Sequence, residues 1–480
     1  MSAPHHASTP SLAASAPPAA APASASPCAT AAAVRLARYA RRAAPRYTSY
    51  PTAPHFRPDF PEADWRGWLS ALDPADPVSL YLHVPFCRRM CWYCGCNMKL
   101  ARRYGPVADY HRTLLREIDL VADAGPGRLP VSHLAWGGGT PTALEPDDLA
   151  AAMDRIRARF DLLPDAELAI ESDPRTLTPE MAARIGALGF TRASFGVQEF
   201  DPRVQEAINR IQPPEMVAEA VARLRAAGVG AISFDLIYGL PYQTARALLR
   251  TVRLAAEMGP GRIALFGYAH VPWMAKNQRM IPQDALPGSA RRAEQAEAAA
   301  AELERLGYVR VGLDHFARPD DPMAVAAAEG RLRRNFQGYT TDRAETLIGL
   351  GATAISRTPS GFAQNLGETG AWARAVEAGR LPVAKGRALS ADDRLRGWAI
   401  ERLMCDFELD AAEAAARFGA APDWAEPAFA RLADLRADGF ATVEGARLRL
   451  TEAGRPLARV AAAAFDAYLG EGTARHSLAV

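Results

Sequence analysis

Residues 81–99 read YLHVPFCRRMCWYCGCNMK. The stretch opens as the end of a β-branched and aromatic strand, "VSLYLHVPF", and then places Cys87, Cys91, Cys94 and Cys96 within ten residues. The chain has only six cysteines, and the other two, Cys28 and Cys405, stand alone. A secreted disulfide framework would spread its cysteines along the chain. One dense cluster in a large protein points instead to a reducing cytoplasm and to a metal or cluster site.

Outward from this stretch a pattern repeats. Five further strand candidates follow: "HLAWGGGTPT", "ELAIESDP", "RASFGVQEF", "AISFDLIYGLP" and "RIALFGYAHVP". Amphipathic helices link most of them. In "DDLAAAMDRIRARF", Leu149, Met153, Ile156 and Phe160 share one face. Six strands alternating with helices predict a parallel α/β sheet or a partial (β/α)6 TIM-like barrel. The chemically interesting residues all fall at the C-terminal strand ends: the cysteines, Gly137–Thr140, Glu171, Gln198, Asp235 and Ala269. In a β/α barrel those ends form one rim, where active sites sit.

The spacing Cys87-x3-Cys91-x2-Cys94 puts three thiols on one tight loop. A structural zinc site usually draws ligand pairs from two knuckles, and no second pair exists here. Ferredoxins use another spacing with a distant fourth cysteine. Three thiolates on a four-iron cluster would leave one iron open to a cofactor or substrate. Zinc and buried structural cysteines remain the alternatives.

The triplet after a strand, with a Gly-rich strand end downstream, resembles the radical S-adenosylmethionine superfamily. The match narrows with "CWYCGC", "PRYTSYPTAPHF" (45–56), "WGGGTPT", "IESDPRTLT", "SFGVQEFDPRVQEAINRIQ", "FDLIYGLPYQT", "FGYAHVPWM", "GLDHFARPDDPMA", "RRNFQGYTT" and "LIGLGATAIS". In this order, from about residue 36 to near the C-terminus, they resemble the oxygen-independent coproporphyrinogen III oxidases (coproporphyrinogen dehydrogenases).

The resemblance implies that Cys87, Cys91 and Cys94 ligate a 4Fe–4S cluster, and that Cys96 is no ligand but matters for activity. It implies that Tyr81, Gly138, Glu171 and Ile355 line the S-adenosylmethionine on the cluster, with Tyr81 and Cys96 as candidate catalytic residues. It assigns Tyr93, Gly139, Thr140, Gln198, Arg210, Asp235 and Ala269 to a second S-adenosylmethionine. Tyr93 departs from the phenylalanine common in that place. The implied reaction converts the ring A and B propionates of coproporphyrinogen III to vinyl groups by a 5′-deoxyadenosyl radical, giving protoporphyrinogen IX. It needs an electron donor to the cluster and a further electron acceptor.

The residue types agree with such roles. Gly137–Gly139 let backbone N–H groups reach a cofactor. Glu171 and Asp235 can accept hydrogen bonds from ribose hydroxyls or an ammonium. Arg210 can hold a carboxylate bidentately. Arg46, Arg88, Arg89, Lys99, Arg102 and Arg103 are candidate propionate partners, against the alternative of solvated surface cations. A haem-binding chaperone and a radical methyltransferase of the same branch are the rival readings. The former typically lacks the fourth cysteine and the "YTSYPT" segment, and the latter lacks "DHFARPDD" and "NFQGYTT"; all are present here.

The remaining expectations concern organisation. Residues 1–34, rich in Ala, Pro and Ser, cannot bury enough surface to offset their ordering entropy and are expected to be a disordered tail. Residues 35–75 are expected to form a lid segment and 76–385 the barrel with an extension. In 386–480, Ser390-x-x-Asp393 predicts a capping box and "GFATVEGARLRLTEAG" a hairpin turning at Glu444-Gly445. This C-terminal unit reads as a mainly helical, winged-helix-like packing or lid domain. A formal charge of +2, from 56 basic and 54 acidic residues, points to neither nucleic acid nor membrane. No run of eighteen apolar residues exists to span a bilayer. A monomer is expected.

Overall fold

The computed structural model describes residues 42–470 together with Arg35, Arg38 and Tyr39. The expected tail at 1–34, including Cys28, lies outside the described residues.

The six expected strands are all present. They are β1 (Val78–Val84), β2 (Pro130–Gly138), β3 (Asp161–Ser172), β4 (Arg192–Gln198), β5 (Ala231–Tyr238) and β6 (Arg262–Gly267). They pair in that order, each parallel to the next. Helices at Gly105–Ala124, Pro146–Arg159, Pro179–Ala187, Pro214–Ala226 and Ala245–Glu257 make the crossovers.

Alternation along each strand separates core from lumen. Leu80, Leu82 and Val84 of β1 are buried under the helices, while Tyr81 and His83 between them stay partly accessible. On β5, Phe234 and Leu236 are buried, while Ser233 and Asp235 are accessible. The lumen-facing set is therefore polar or small, unlike the layered apolar filling of a closed eight-stranded barrel. A six-stranded parallel wall leaves the interior open to a ligand.

The sheet extends further than the sequence pattern indicated. β7 (Val309–Val311) and β8 (His315–Ala317) form a hairpin antiparallel to the outer side of β6. β9 (Thr346–Leu350) lies parallel to β1 on the opposite side, followed by antiparallel β10 (Ile355–Thr358), β11 (Gly361–Asn365) and β12 (Val383–Ala388). With Arg57–Pro58 on β12, thirteen strands form one open sheet. β9 is a seventh parallel strand, formed from "TLIGL" far along the chain. Its run is too short for sequence periodicity to separate strand from buried helix.

The C-terminal unit follows the expected order of helices and then a hairpin, with an additional short strand, Glu408–Asp410, after the first helix. Asp393 N donates to Ser390 Oγ at 3.0 Å and Ser390 N to Asp393 Oδ2 at 2.9 Å, closing the capping box. Ala441–Glu444 pairs with Arg447–Leu450 around Gly445 and Ala446, one residue later than the expected Glu444-Gly445 turn because Glu444 still pairs with Arg447, and Glu408–Asp410 completes a three-stranded sheet. Among the described residues no helix is long and apolar enough to cross a membrane.

The N-terminal segment is more than a cover. Tyr39, Tyr47 and Tyr50 are buried in the C-terminal core with Leu403, Phe440 and Phe465. The Tyr47 hydroxyl donates to Asp466 at 3.0 Å. Phe56 stacks on Phe362 of β11, with ring centroids 5.3 Å apart. The segment thus ties the C-terminal unit to the sheet. Tyr47→Phe strips a buried carboxylate of one partner and is expected to cost about 1–3 kcal/mol. A lowered thermal unfolding midpoint of the purified protein, with secondary structure unchanged, is the expected reading.

Candidate active site

The cysteine loop leaves β1 at the rim. Cys87 Sγ lies 3.4 Å from Thr140 Oγ1, beyond the end of β2, and burial pushes its pKa up to about 11. Cys94 accepts hydrogen bonds from the Cys96 thiol and from its N–H, the latter at 3.4 Å. That pair holds Cys94 down at about 7 and pushes Cys96 up. Cys96 is exposed. Cys91 is buried, and its Sγ faces two guanidinium groups, Arg175 Nη2 and Arg210 Nη1, each at 3.3 Å.

Those arginines are anchored by Asp173 after β3. Arg175 binds it through Nε and Nη2 at 2.9 and 2.6 Å, and Arg210 Nη1 stands 3.6 Å away. Burial pushes Asp173 up, but the two cations outweigh it and hold the carboxyl at about 2. Arg210 also donates to the carbonyl of Gly196 through Nε at 3.1 Å. It therefore arrives at the rim with its donors largely engaged, rather than free to clamp a carboxylate as the sequence suggested.

A single residue closes the loop from the other side. Asn277 Nδ2 reaches the carbonyls of Cys91, Trp92 and Cys94 at 3.0, 3.3 and 2.8 Å. Its neighbour Gln278 donates to the carbonyls of Tyr93 at 2.7 Å and Ala269 at 3.1 Å. Two of the expected site positions, Tyr93 and Ala269, are thus joined through a residue that sequence reasoning did not single out. Asp173, Arg175, Asn277 and Gln278 were all missed. Asp173 and Arg175 lie within the "IESDPRTLT" block, so proximity to Glu171 was the available signal; Asn277 and Gln278 lie just beyond "FGYAHVPWM".

The Gly-rich turn is shaped by contact. A Cβ on Gly137 would come within 2.8 Å of Glu171 Oε1 and 3.0 Å of the Tyr81 hydroxyl. One on Gly139 would meet the backbone of Phe86 at 2.8 Å. Gly138 has φ +115 and donates its N–H to Glu171 Oε2 at 3.2 Å. Tyr81 and Glu171 therefore meet over this turn. The Tyr81 hydroxyl lies 3.1 Å from His83 Nδ1, another residue the sequence reading passed over.

Register places the rest. Ile355 of β10 has its backbone against Gly349, which pairs with Tyr81. Asp235 pairs with Gly196, and Gln198 is the last residue of β4. Gln198 has φ +67, and its buried Oε1 has no hydrogen-bond partner. Burial and the charge of Asp235 push Glu171 up to about 7; burial pushes Asp235 up to about 6. The candidate propionate cations separate. Arg88, Arg89 and Arg102 line a pocket outside the loop with Arg175, Asn209 and Ile211. Lys99 pairs with Glu368 at 3.5 Å.

With the geometry established, comparison decides the family. Residues 81–255 match the radical SAM superfamily and residues 389–457 the HemN C-terminal domain. The oxygen-independent coproporphyrinogen III oxidase of Bradyrhizobium diazoefficiens is 52% identical over 442 residues, covering 92% of this chain and 98% of that one. This chain belongs to the oxygen-independent coproporphyrinogen III oxidase family. The Escherichia coli relative of the same description is 39% identical over 88% of this chain and 93% of its own. The solved structure of the coproporphyrinogen III oxidase HemN from that organism superposes with a TM-score of 0.86, at 37% identity, covering 91% of this chain and 98% of that one.

Membership of the radical SAM superfamily implies a 4Fe–4S cluster and S-adenosylmethionine, and the residues fit both. Among the described residues no three Cys, His, Asp or Glu groups converge on one ion. Cys87, Cys91 and Cys94 lie on one loop within electrostatic reach of one another. Gln198 presents a buried, unsatisfied acceptor at the rim.

Asn277→Ala would free three loop carbonyls at once. Iron and sulfide retained per chain after anaerobic desalting are expected to fall to less than half, while circular dichroism stays that of the parent protein.

Proposed function

We propose that this protein catalyses the oxygen-independent oxidative decarboxylation of the ring A and B propionates of coproporphyrinogen III, giving protoporphyrinogen IX in haem biosynthesis. The observation that carries it is the combination of family membership over nearly the whole chain with a rim that gathers three loop thiols, the glycine turn and the carboxylates of Glu171 and Asp235.

Cys87, Cys91 and Cys94 would hold the cluster. Tyr81, Gly138, Glu171 and Ile355 would line the S-adenosylmethionine bound to it. Tyr93, Gly139, Thr140, Gln198, Arg210, Asp235 and Ala269 would line a second molecule; the unpartnered Gln198 Oε1 supports a ligand there. When bound, the cluster and S-adenosylmethionine supply a 5′-deoxyadenosyl radical that takes a hydrogen atom from a propionate β-carbon. The carboxylate then leaves as carbon dioxide and one electron passes to an acceptor.

The chain's own residues orient and shield. Arg175 and Arg210 each donate to the Cys91 sulfur and fix its position on the loop. Glu171 offers a carboxylate beside the Gly138 N–H, suited to a cofactor ammonium. Cys96 stands next to Cys94 and is the candidate for a role beyond ligation. All these residues come from one chain, so a monomer suffices. Four cysteines clustered on one short loop suit a reducing cytoplasm.

The direct test is anaerobic. Reconstituted protein with S-adenosylmethionine, a reductant and coproporphyrinogen III is expected to form 5′-deoxyadenosine and protoporphyrinogen IX together. Cys91→Ala is expected to abolish both. Formation of 5′-deoxyadenosine without the porphyrinogen would overturn the substrate and keep the cofactors.

A pH dependence follows from Glu171. With its pKa near 7, the carboxyl is mostly neutral at pH 6 and ionised at pH 8. A cationic ligand on the carboxylate binds more weakly below that pKa. S-adenosylmethionine affinity, read by equilibrium dialysis, is expected to rise roughly tenfold between pH 6 and 8. Glu171→Gln should flatten that rise.

A further inference from the structure

The rim has a second concentration of charge, away from the cysteine loop. It lies where β5 and β6 end and four distant segments meet. Arg292 sits over the ring of Tyr238, its guanidinium carbon 5.9 Å from the centroid. It also packs on two glycines: a Cβ on Gly239 would lie 3.3 Å from its guanidinium, and one on Gly267 3.2 Å from Nη2. Arg334, on the strand Arg333–Asn335, lies 4.4 Å over the ring of Tyr339. Its Nη2 donates to the carbonyl of Arg46 at 3.4 Å. Arg459, from the C-terminal helix Ala458–Ala463, donates to the carbonyls of Pro45, at 2.9 Å, and Ala44. That places it beside Arg46.

These four guanidinium groups share one neighbourhood. Arg292, Arg459 and Arg46 all act on Tyr238, and Arg334 and Arg46 both act on Asp314. Asp314 already binds the adjacent His315, at 2.6 Å. Asp314 and His315 also act on Asp235, which links the cluster electrostatically to one of the expected cofactor positions. Burial first, then the charges of Arg46 and Arg334, hold the Arg459 guanidinium down at about 10.

Structure alone does not account for the arrangement. Arg459 and one arm of Arg334 secure the N-terminal segment. Among the described residues, however, Arg46, Arg292 and Arg334 form no ion pair, and Nε and Nη1 of Arg334 are buried without a partner. Arg292, Arg334 and Arg459 are half-buried and Arg46 is exposed, and Asp314 is the carboxylate beside them, so further anionic charge would relieve their mutual repulsion. Planar guanidinium forks converging on one space match carboxylates in particular.

We propose that Arg46, Arg292, Arg334 and Arg459 form a carboxylate subsite that holds the two propionates the reaction leaves intact. This rests on the reaction proposed above. The reacting propionates must reach the cofactor beside Tyr81 and Glu171, at the β1–β3 ends of the rim. The arginines stand at the β5–β6 ends and on the C-terminal unit, so they meet the opposite edge of the macrocycle. The retained propionates, on rings C and D, are neighbours on that edge, so one cation cluster serves both. Turning the macrocycle over exchanges C with D on the arginines and A with B at the reacting end. The same subsite therefore serves both decarboxylations. Of the cations singled out by sequence, only Arg46 belongs to this cluster.

The test uses reconstituted full-length protein under anaerobic conditions and two fluorescent, oxidised probes: coproporphyrin III, with four carboxylates, and protoporphyrin IX, which keeps only the two retained ones. Arg292→Gln and Arg334→Gln, on separate elements, are each expected to weaken both probes about tenfold, with KM for coproporphyrinogen III rising more than kcat falls. Arg334→Lys is expected to recover part of the affinity. Unchanged cluster absorbance and unfolding midpoint identify folded variants. Weakening of coproporphyrin III alone would overturn the proposal, because the cluster would then hold the reacting carboxylates. Unchanged binding of both probes in both variants would overturn the subsite while leaving the reaction standing. Failure of the parent protein to turn over coproporphyrinogen III would instead remove the reaction reading on which the subsite rests.

Discussion

Three thiols serve one inorganic centre only if the short loop carrying them keeps a fixed, open shape. Nothing in a stretch as brief as 87–96 can do that alone, since it holds neither a helix nor a long strand. The shape is imposed from outside. Asn277 ties three carbonyls of the loop from one side, and Arg175 and Arg210 grip Cys91 from the other. Asp173 fixes both arginines in turn. The rest of the fold can be seen as a means of delivering these partners to one rim. Asp173 follows β3, Arg210 follows β4 and Asn277 follows β6, so the parallel order of the wall places them around the loop that follows β1.

The same wall explains why the interior can hold ligands. In each strand the apolar residues turn toward the helices and the small or polar ones toward the lumen. Burying Phe234 and Leu236 on one face stabilises the sheet by a few kcal/mol while leaving Asp235 facing inward. The polar lumen is therefore a consequence of register, and a one-residue slip would bury the carboxylate and expose the phenylalanine. The two extra edges of the sheet have a different task. β8 carries His315 toward Asp235, and β9–β10 carry Ile355 to the side of Tyr81.

How much of this was legible in the sequence depended on whether a signal was local. The six β/α units, the capping box at Ser390 and the hairpin at Gly445 are each written in consecutive residues, and each is present. The cysteines, the glycine turn and Glu171 were legible because chemistry confines such residues to few roles and because strand ends share a rim. β9 was not legible, since a run of five residues is too short to carry a period and its pairing with β1 spans most of the chain. Asn277 and Gln278 were not legible either: an amide bonding to backbone carbonyls leaves no trace in residue type. Arg210 shows the converse. Its residue type suggested a carboxylate clamp, but its neighbours, Cys91, Asp173 and the Gly196 carbonyl, occupy most of its donors. The cluster at Arg46, Arg292, Arg334 and Arg459 required four segments to be brought together before its charge could be counted.

Opposite charges are thus stored on one rim. Glu171 and Asp235, both pushed upward by burial, mark a region where a cation would relieve the cost of desolvated carboxylates. The four arginines mark a region where an anion would do the same. A ligand-free rim carries both costs, and binding removes them without rebuilding the wall. Because such ligands bind the folded chain and not the unfolded one, their binding energy adds to its stability. The barrel can therefore keep a hollow, polar interior that would be a poor core by itself. Its stability as a scaffold comes from the helix-covered faces, while the lumen remains complementary to charges that arrive with the cofactors and the substrate.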